Sequence, residues 1–484
     1  MGFSVVTFVS YFLPISVIIY FLLGLITRQN NRVLNVYLIL ISVLFYWAGA
    51  GSNLSVIVLL ITVTYLTSYI MRAKQSKMAF VFGLIINVVV LVKYKYPALV
   101  LSMIGATGIT PDVIFPLGMS FIVFHSISYL VDSYQSMVGA VAKPATANAR
   151  KDNELAEFIN LSLYIVFFPK ILQGPIVRYQ EMREQIISRV STWEDVYAGL
   201  QRFIIGLAKK VIIADEFGRM VASLPRLENM DAGTAWFGVF AFGFQLYFDF
   251  SAYSDMALGI ARIFGFRFGE NFNFPYIATS ISEFWRRWHI SLGAWFRNYI
   301  YIPLGGNRQG SVYLNLFIVF VLTGLWHGNT PIYLYWGIAH GIVILIERTP
   351  AYRKLDWTRL PMRILGWAYT MTVVFIGWLC FWQPNVDEFM DYCYKLLGIG
   401  VSDVSFTWLY YYDLKNTVFL LGAAAGIGLF SRPVLQTKTR SAMAIAQAKP
   451  AYQLLVLVTM AGLFILSFSG MVSNSYTPFL YFQF

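Results

Sequence analysis

Apolar stretches of membrane-spanning length recur from one end of this 484-residue sequence to the other. No other feature restricts the fold as strongly, because about 20 apolar residues in a helix match the hydrocarbon core of a bilayer. Ser4–Thr27, Val33–Ala50 and Gln453–Val472 are three such runs. Charged residues make up 12% of the chain, against roughly 25% for a water-soluble domain. A soluble enzyme, a disordered tail and a disulfide scaffold are excluded together, and an all-α polytopic membrane protein is what remains. The first run lacks a basic segment ahead of it and is longer than the apolar part of a signal peptide, so it reads as a retained span.

The formal net charge is +12. In a membrane protein that excess points to cytoplasmic loops beside anionic lipid. The basic residues are scattered between spans instead of gathered into a stripe, which speaks against nucleic acid. Cys380 and Cys393 are the only cysteines, so neither a disulfide framework nor a Cys-rich metal site is available, and no metal site is expected.

Positive and neutral loops alternate. Arg28 and Arg32 follow the first span, and Gly51-Ser52-Asn53 follows the second. Arg72, Lys74 and Lys77 come next, then a Gly/Thr-rich turn before Asp112. A fifth span, near Val113–Val131, leads to Lys143, Arg150 and Lys151. The basic loops belong in the cytoplasm and the N-terminus outside it. Lys93 and Lys95 lie near the outer end of the fourth span and read as snorkelling side chains. Further on, Arg348, Arg353, Lys354, Arg359 and Arg363 make an inner loop, and Asp387, Glu388, Asp391 and Asp403 an outer one. Arg432, Lys438, Arg440 and Lys449 lie inside again, so the C-terminus should emerge outside.

The middle is less regular. Phe158–Leu172 is short and runs into Gln173-Gly174-Pro175, as a re-entrant or tilted piece would. Gly199–Ala214 carries Lys209 and Lys210 in an apolar run, and Trp236–Phe266 is too long for one straight span and holds Asp249 and Asp255. Carboxylates at such depth should face a protein interior or a wet cavity. There is no clear internal repeat and no soluble domain, so residues 1–484 read as one transmembrane domain.

The four histidines are His125, His289, His327 and His340. His327 sits in Thr323-Gly324-Leu325-Trp326-His327-Gly328, between apolar legs that begin near Tyr313 and end near Ile346. Each leg, of about 15 residues, rises roughly 22 Å, short of the roughly 30 Å hydrocarbon core. The turn therefore falls inside the membrane thickness, where broken backbone survives only within protein or around a wet cavity. A neutral imidazole there can take a proton from a hydroxyl and return it to a leaving thiolate. A packing histidine bonded to a backbone carbonyl is the other reading, which the flanking glycines disfavour.

Arg286, Arg287, Arg297 and Arg308 lie among Trp285, Trp288 and Trp295, followed by a Gly305-Gly306 turn, on the inner side by the loop charges. An interfacial belt of aromatics and arginines is one explanation. The other is a donor site in which Trp285 stacks on a base while Arg286, Arg287 and Arg297 hold phosphates, as coenzyme A or a phosphopantetheinyl carrier would need. The last six residues, Phe479 to Phe484, form an aromatic tail. Such tails are usually interfacial anchors, although Tyr481 also places a hydroxyl there.

These motifs resemble those of the membrane-bound O-acyltransferase family, in its bacterial alginate, peptidoglycan and polysaccharide O-acetyltransferase branch. The matching runs are PLGMSF (Pro116–Phe121), QGPIVR (Gln173–Arg178), YFDFSAYSDMALGIARIFGF (Tyr247–Phe266), NFNFPY, FWRRWHISLGAWFRNYIYIPLGGNR and TGLWHG. The resemblance is strong over residues 115–348 and rests on hydropathy elsewhere. It implies a helical bundle around a central funnel, with about 10–12 spans plus re-entrant helices. By motif match His327 is the catalytic histidine and His289 the second one. The tail, residues 479–484, fits F-x-Y-x-x-F, which is similar to the end of the companion peptide of teichoic-acid D-alanylation. There the tyrosine is implicated as an acyl relay; here the motif is fused to the acyltransferase.

The resemblance implies an O-acetyltransferase in the bacterial cytoplasmic (inner) membrane, multi-pass, with no bound cofactor. It would move acetyl from a cytoplasmic thioester, acetyl-CoA, to an extracytoplasmic polysaccharide. His327 would be the general base and Tyr481 a carrier of acetyl as a phenolic ester. An SGNH-type acetyltransferase outside would receive the group, since this chain holds no G-x-S-x-G elbow. D-alanyl or other acyl transfer from a carrier protein is the rival within the class. A transporter or flippase using Asp249 and Asp255 is the rival from another class, against which stands the lack of repeated halves.

Overall fold

The computed structural model describes residues 2–50, 53–97, 116–139, 154–224, 230–401, 417–418, 420–422, 424–425, 450–473 and 479–480. In chain order the helices are α1 (Leu13–Ile26), α2 (Asn31–Ala50), α3 (Leu54–Lys74), α4 (Lys77–Lys95), α5 (Met119–Met137), α6 (Glu154–Val166), α7 (Tyr179–Ile187), α8 (Trp193–Ala208) and α9 (Asp215–Ala222). There follow α10 (Ala232–Ile263), α11 (Ile281–Arg287), α12 (Ile290–Phe296), α13 (Val312–His327), α14 (Pro331–Glu347), α15 (Pro350–Arg353), α16 (Leu360–Trp382), α17 (Val386–Leu396) and α18 (Pro450–Ser473). No strand occurs among the described residues. The protein is an all-α polytopic membrane protein: six of its described helices are long and apolar enough to cross a membrane. They are Phe8–Ile26, Asn31–Gly49, Leu54–Lys74, Lys77–Lys95, Leu360–Trp382 and Pro450–Ser473. Their exposed faces carry side chains such as Phe82, Val89, Ile364 and Leu457, which suit lipid and not water.

Contacts group the chain into two compact units: Met1–Phe203 with Met256–Gly269, and Ile204–Asp255 with Glu270–Phe484. In the first unit the rings of Phe3, Phe8, Phe45 and Phe168 pack together, Phe3 lying 5.0 Å from Phe8 and 5.6 Å from Phe45. The short piece expected near residue 158 is α6, with 13 residues, about 20 Å long and too short to cross alone. The fifth span differs from expectation. Residues 113–115 lie outside the described set, α5 begins at Met119, and the helix continues past Val131 to Met137. Asp132, just beyond the expected end, is buried and accepts the Gln180 backbone N–H at 3.3 Å. A tertiary partner thus lets the helix run through a polar residue.

The second unit contains the two deep carboxylates. A π-helical turn, Lys209–Ala214, follows α8 and turns both lysines inward. Lys209 Nζ meets Asp255 Oδ2 at 2.7 Å, and Lys210 Nζ meets Asp249 Oδ1 at 2.8 Å and Asp215 Oδ1 at 2.7 Å. The carboxylates face the protein interior as expected, and buried charge is tolerable there because it is paired.

In the same unit α13 and α14 form a hairpin of 16 and 17 residues, about 24 and 26 Å long. Ser311 caps α13 by accepting the Leu314 N–H, and Pro331 opens α14. The two helices meet on glycines. A Cβ at Gly324 would lie 2.5 Å from Tyr333 O, and one at Gly337 would lie 2.5 Å from Phe320 O. Small residues are what allow such backbone approach within a membrane.

Candidate active site

His327 is the last residue of α13, and Gly328 turns the chain away in extended conformation. A Cβ on Gly328 would strike the Tyr333 ring at 2.3 Å, so close approach, not backbone strain, requires glycine there. The His327 ring stands edge-on to Trp336 at 5.0 Å and to Phe381 at 4.9 Å. Those contacts bring α14 and α16 to the end of α13 and hold the imidazole.

His289 reaches the same place from between two short helices. Trp288 ends α11, and α12 begins at Ile290, leaving His289 left-handed at φ 44°. A non-glycine residue in that region costs on the order of 1–3 kcal/mol, a strain that clusters at functional sites. His289 is buried, with its ring 4.8 Å from Phe250. Its Nδ1 lies 3.1 Å from Asn271 Oδ1. Two further contacts fix the Asn271 amide: Ser291 N–H donates to Oδ1 at 3.2 Å, and Nδ2 donates to Ser254 Oγ at 3.0 Å. A backbone N–H can only donate, so the Asn271 atom facing it is oxygen, and Nδ1 of His289 must carry the proton. The Nε2 atom is then an unprotonated acceptor, with no hydrogen-bond partner among the described residues.

Both histidines line one partly open cavity. Thr323, Trp285, Trp288, Trp378 and Phe381 complete most of its wall. A cavity lined by two histidines and walled mainly by aromatic rings is suited to proton transfer from a hydroxyl in a place poor in water.

Of the residues expected to bind a donor, Trp285 is on this wall, while Arg286 and Arg297 are exposed and away from it. Arg287 is clipped to its own helix. Its Nε and Nη2 donate to Glu283 Oε1 at 2.9 and 2.8 Å, and Nη1 donates to Asn273 O at 3.1 Å. Partial burial resists the charge on Glu283, yet the Thr279 N–H and Arg287 hold its carboxyl below the usual range. Tyr481 lies outside the described residues. The two residues before it are described, and both contact the buried lysine–carboxylate cluster of the second unit. Asn271 and Ser254 were not foreseen as site residues; they lie in NFNFPY and the long apolar run, and neither is charged or a histidine.

The chain matches the membrane-bound O-acyltransferase family (MBOAT) over residues 105–382, which include both cavity histidines. It belongs to that family. Its relatives include a probable alginate O-acetylase of Pseudomonas putida, 33% identical over the whole of both chains. A peptidoglycan O-acetyltransferase of Helicobacter pylori is 33% identical over 83% of this chain and 80% of its own. A teichoic acid D-alanyltransferase of Bacillus subtilis is 29% identical over 47% of this chain and 58% of its own. This MBOAT protein is thus an O-acyltransferase. The lysine pairs account for the deep carboxylates Asp249 and Asp255 without any transport role.

Proposed function

We propose that this MBOAT protein takes acetyl from a cytoplasmic thioester, acetyl-CoA, and passes it across the bacterial cytoplasmic membrane for O-acetylation of an extracytoplasmic polysaccharide. The carrying observation is the one cavity that His327 and His289 both line. In the reaction the accepting hydroxyl oxygen attacks the thioester carbonyl as His327 removes its proton. The C–S bond then breaks, and His327 returns the proton to the thiolate. His289 Nε2, an acceptor, positions the donor by taking an N–H of it. Trp285 receives the donor on the cavity wall, and Arg286 and Arg297 meet its phosphates at the cytoplasmic surface.

The first acceptor in this reading is Tyr481. Its phenolic ester leaves more readily than a sugar ester, and an SGNH-type transferase outside would pass the acetyl on to the glycan. Acetyl is favoured over D-alanyl because the relatives that align along 80% or more of both chains are named as O-acetylases, whereas the named D-alanyltransferase aligns with 47% of this one.

The test is glycan acetylation from labelled acetyl-CoA in membranes carrying His327→Ala or Tyr481→Phe. Loss of the general base should lower the rate about 10²- to 10⁴-fold with normal protein accumulation. Tyr481→Phe keeps the ring and should abolish transfer while thioester binding survives. Wild-type acetylation in His327→Ala would overturn the assignment of the base, and in Tyr481→Phe that of the relay.

A further inference from the structure

The segment before Tyr481 is not laid over the surface of the second unit. Phe479 is fully buried, its ring edge-on to Tyr253 at 5.1 Å and beneath the Lys210 ammonium at 4.7 Å. Leu480 then donates its backbone N–H to Asp249 Oδ2 at 2.8 Å. The other oxygen of Asp249 is held by Lys210, which also holds Asp215. One ammonium is therefore shared by two carboxylates, and Lys210 meets Asp249 through Oδ1, leaving the lone pairs of Oδ2 for another donor at a buried position. A carboxylate so placed needs a second donor, and a backbone N–H bonded to an ionised oxygen is among the stronger hydrogen bonds.

We propose that Asp249 is the socket of the C-terminal tail: a positioning residue whose carboxylate fixes the backbone at Leu480 and so sets the place of Tyr481. The Phe479 ring, wedged between Tyr253 and Lys210, selects which N–H reaches the carboxylate. Successive Cα atoms are about 3.8 Å apart, so anchoring Leu480 confines the next residue whatever its side chain does. The catalytic consequence rests on the acyl-relay reading of Tyr481; the docking itself does not.

Hydrogen exchange read by mass spectrometry on the full chain in nanodiscs tests the docking. In Asp249→Ala, Lys210 keeps Asp215 as counter-ion, and the Leu480 amide should exchange roughly tenfold to a hundredfold faster than in wild type. Unchanged protection overturns the socket. A second pair of variants leaves the buried cluster intact. Leu480→Pro removes the N–H and should lower kcat for glycan acetylation at least about tenfold with the acetyl-CoA KM unchanged, whereas Leu480→Met retains both the N–H and the apolar packing and should lose far less. Equal activity in the two overturns the positioning role. If Tyr481→Phe is silent while Asp249→Ala frees the Leu480 amide, the relay reading fails and the socket stands.

Discussion

Asn271 decides which nitrogen of His289 is basic. Its carbonyl oxygen is committed by the Ser291 N–H, and the Ser254 hydroxyl holds its NH₂. Rotation of the amide would set donor against donor, so the proton on Nδ1 and the lone pair on Nε2 are built in. Asn271→Leu fills similar volume without either bond, leaving His289 free to change tautomer and turn. We expect kcat for acetyl transfer to fall about 10- to 100-fold, with acetyl-CoA binding by calorimetry little altered. An unaffected kcat would show that the tautomer is immaterial. His327 was recognisable from Gly-Leu-Trp-His-Gly because its meaning is local: a turn within two short apolar legs. Asn271 was not, because its partners are 17 and 20 positions away in sequence and only folding brings them together.

At the scale of elements the α13–α14 hairpin does the most to place the site, since His327 ends one leg and Trp336, on the other, packs against it. The hairpin closes on Gly324 and Gly337, whose added Cβ atoms would each come 2.5 Å from a facing carbonyl oxygen. Backbone cannot yield as a flexible side chain can, so Gly337→Ala must push the helices apart. Displacement of about 1 Å at the end of α13 can cost about 100-fold in rate. Acetylation should fall by that order, with a lowered unfolding temperature in detergent. Gly422→Ala, which meets no atom of the described residues within 4 Å, should change neither. The two short legs were legible from sequence by length, whereas the glycine contact that sets their spacing was not, because glycines also occur at positions with nothing near.

For the whole molecule, loop charge gives a topology that chemistry can check. By that rule the Gly305–Arg308 turn should lie inside and the acidic stretch at Asp387 and Glu388 outside. With Cys380 and Cys393 replaced by Ala, Gln309→Cys should react with an impermeant maleimide only after cells are opened. Glu388→Cys should react in intact cells. Both positions are exposed, so the reverse pattern would invert the donor side and with it the direction of acetyl transfer.

Sequence by itself determined the solvent this protein folds in, its helical class, its family and the histidine at the hairpin turn. These follow from local quantities: apolar run length, charge alternation and contiguous motifs. Tertiary structure alone decided that His289 joins His327 on one cavity, that Arg287 is spent on Glu283, and that Lys210 and Asp249 meet Phe479 and Leu480. The reason is physical. A hydrogen bond or ion pair is made by groups within about 3 Å of one another, and neither residue type nor spacing along the chain reveals which distant groups the packed helices bring that close.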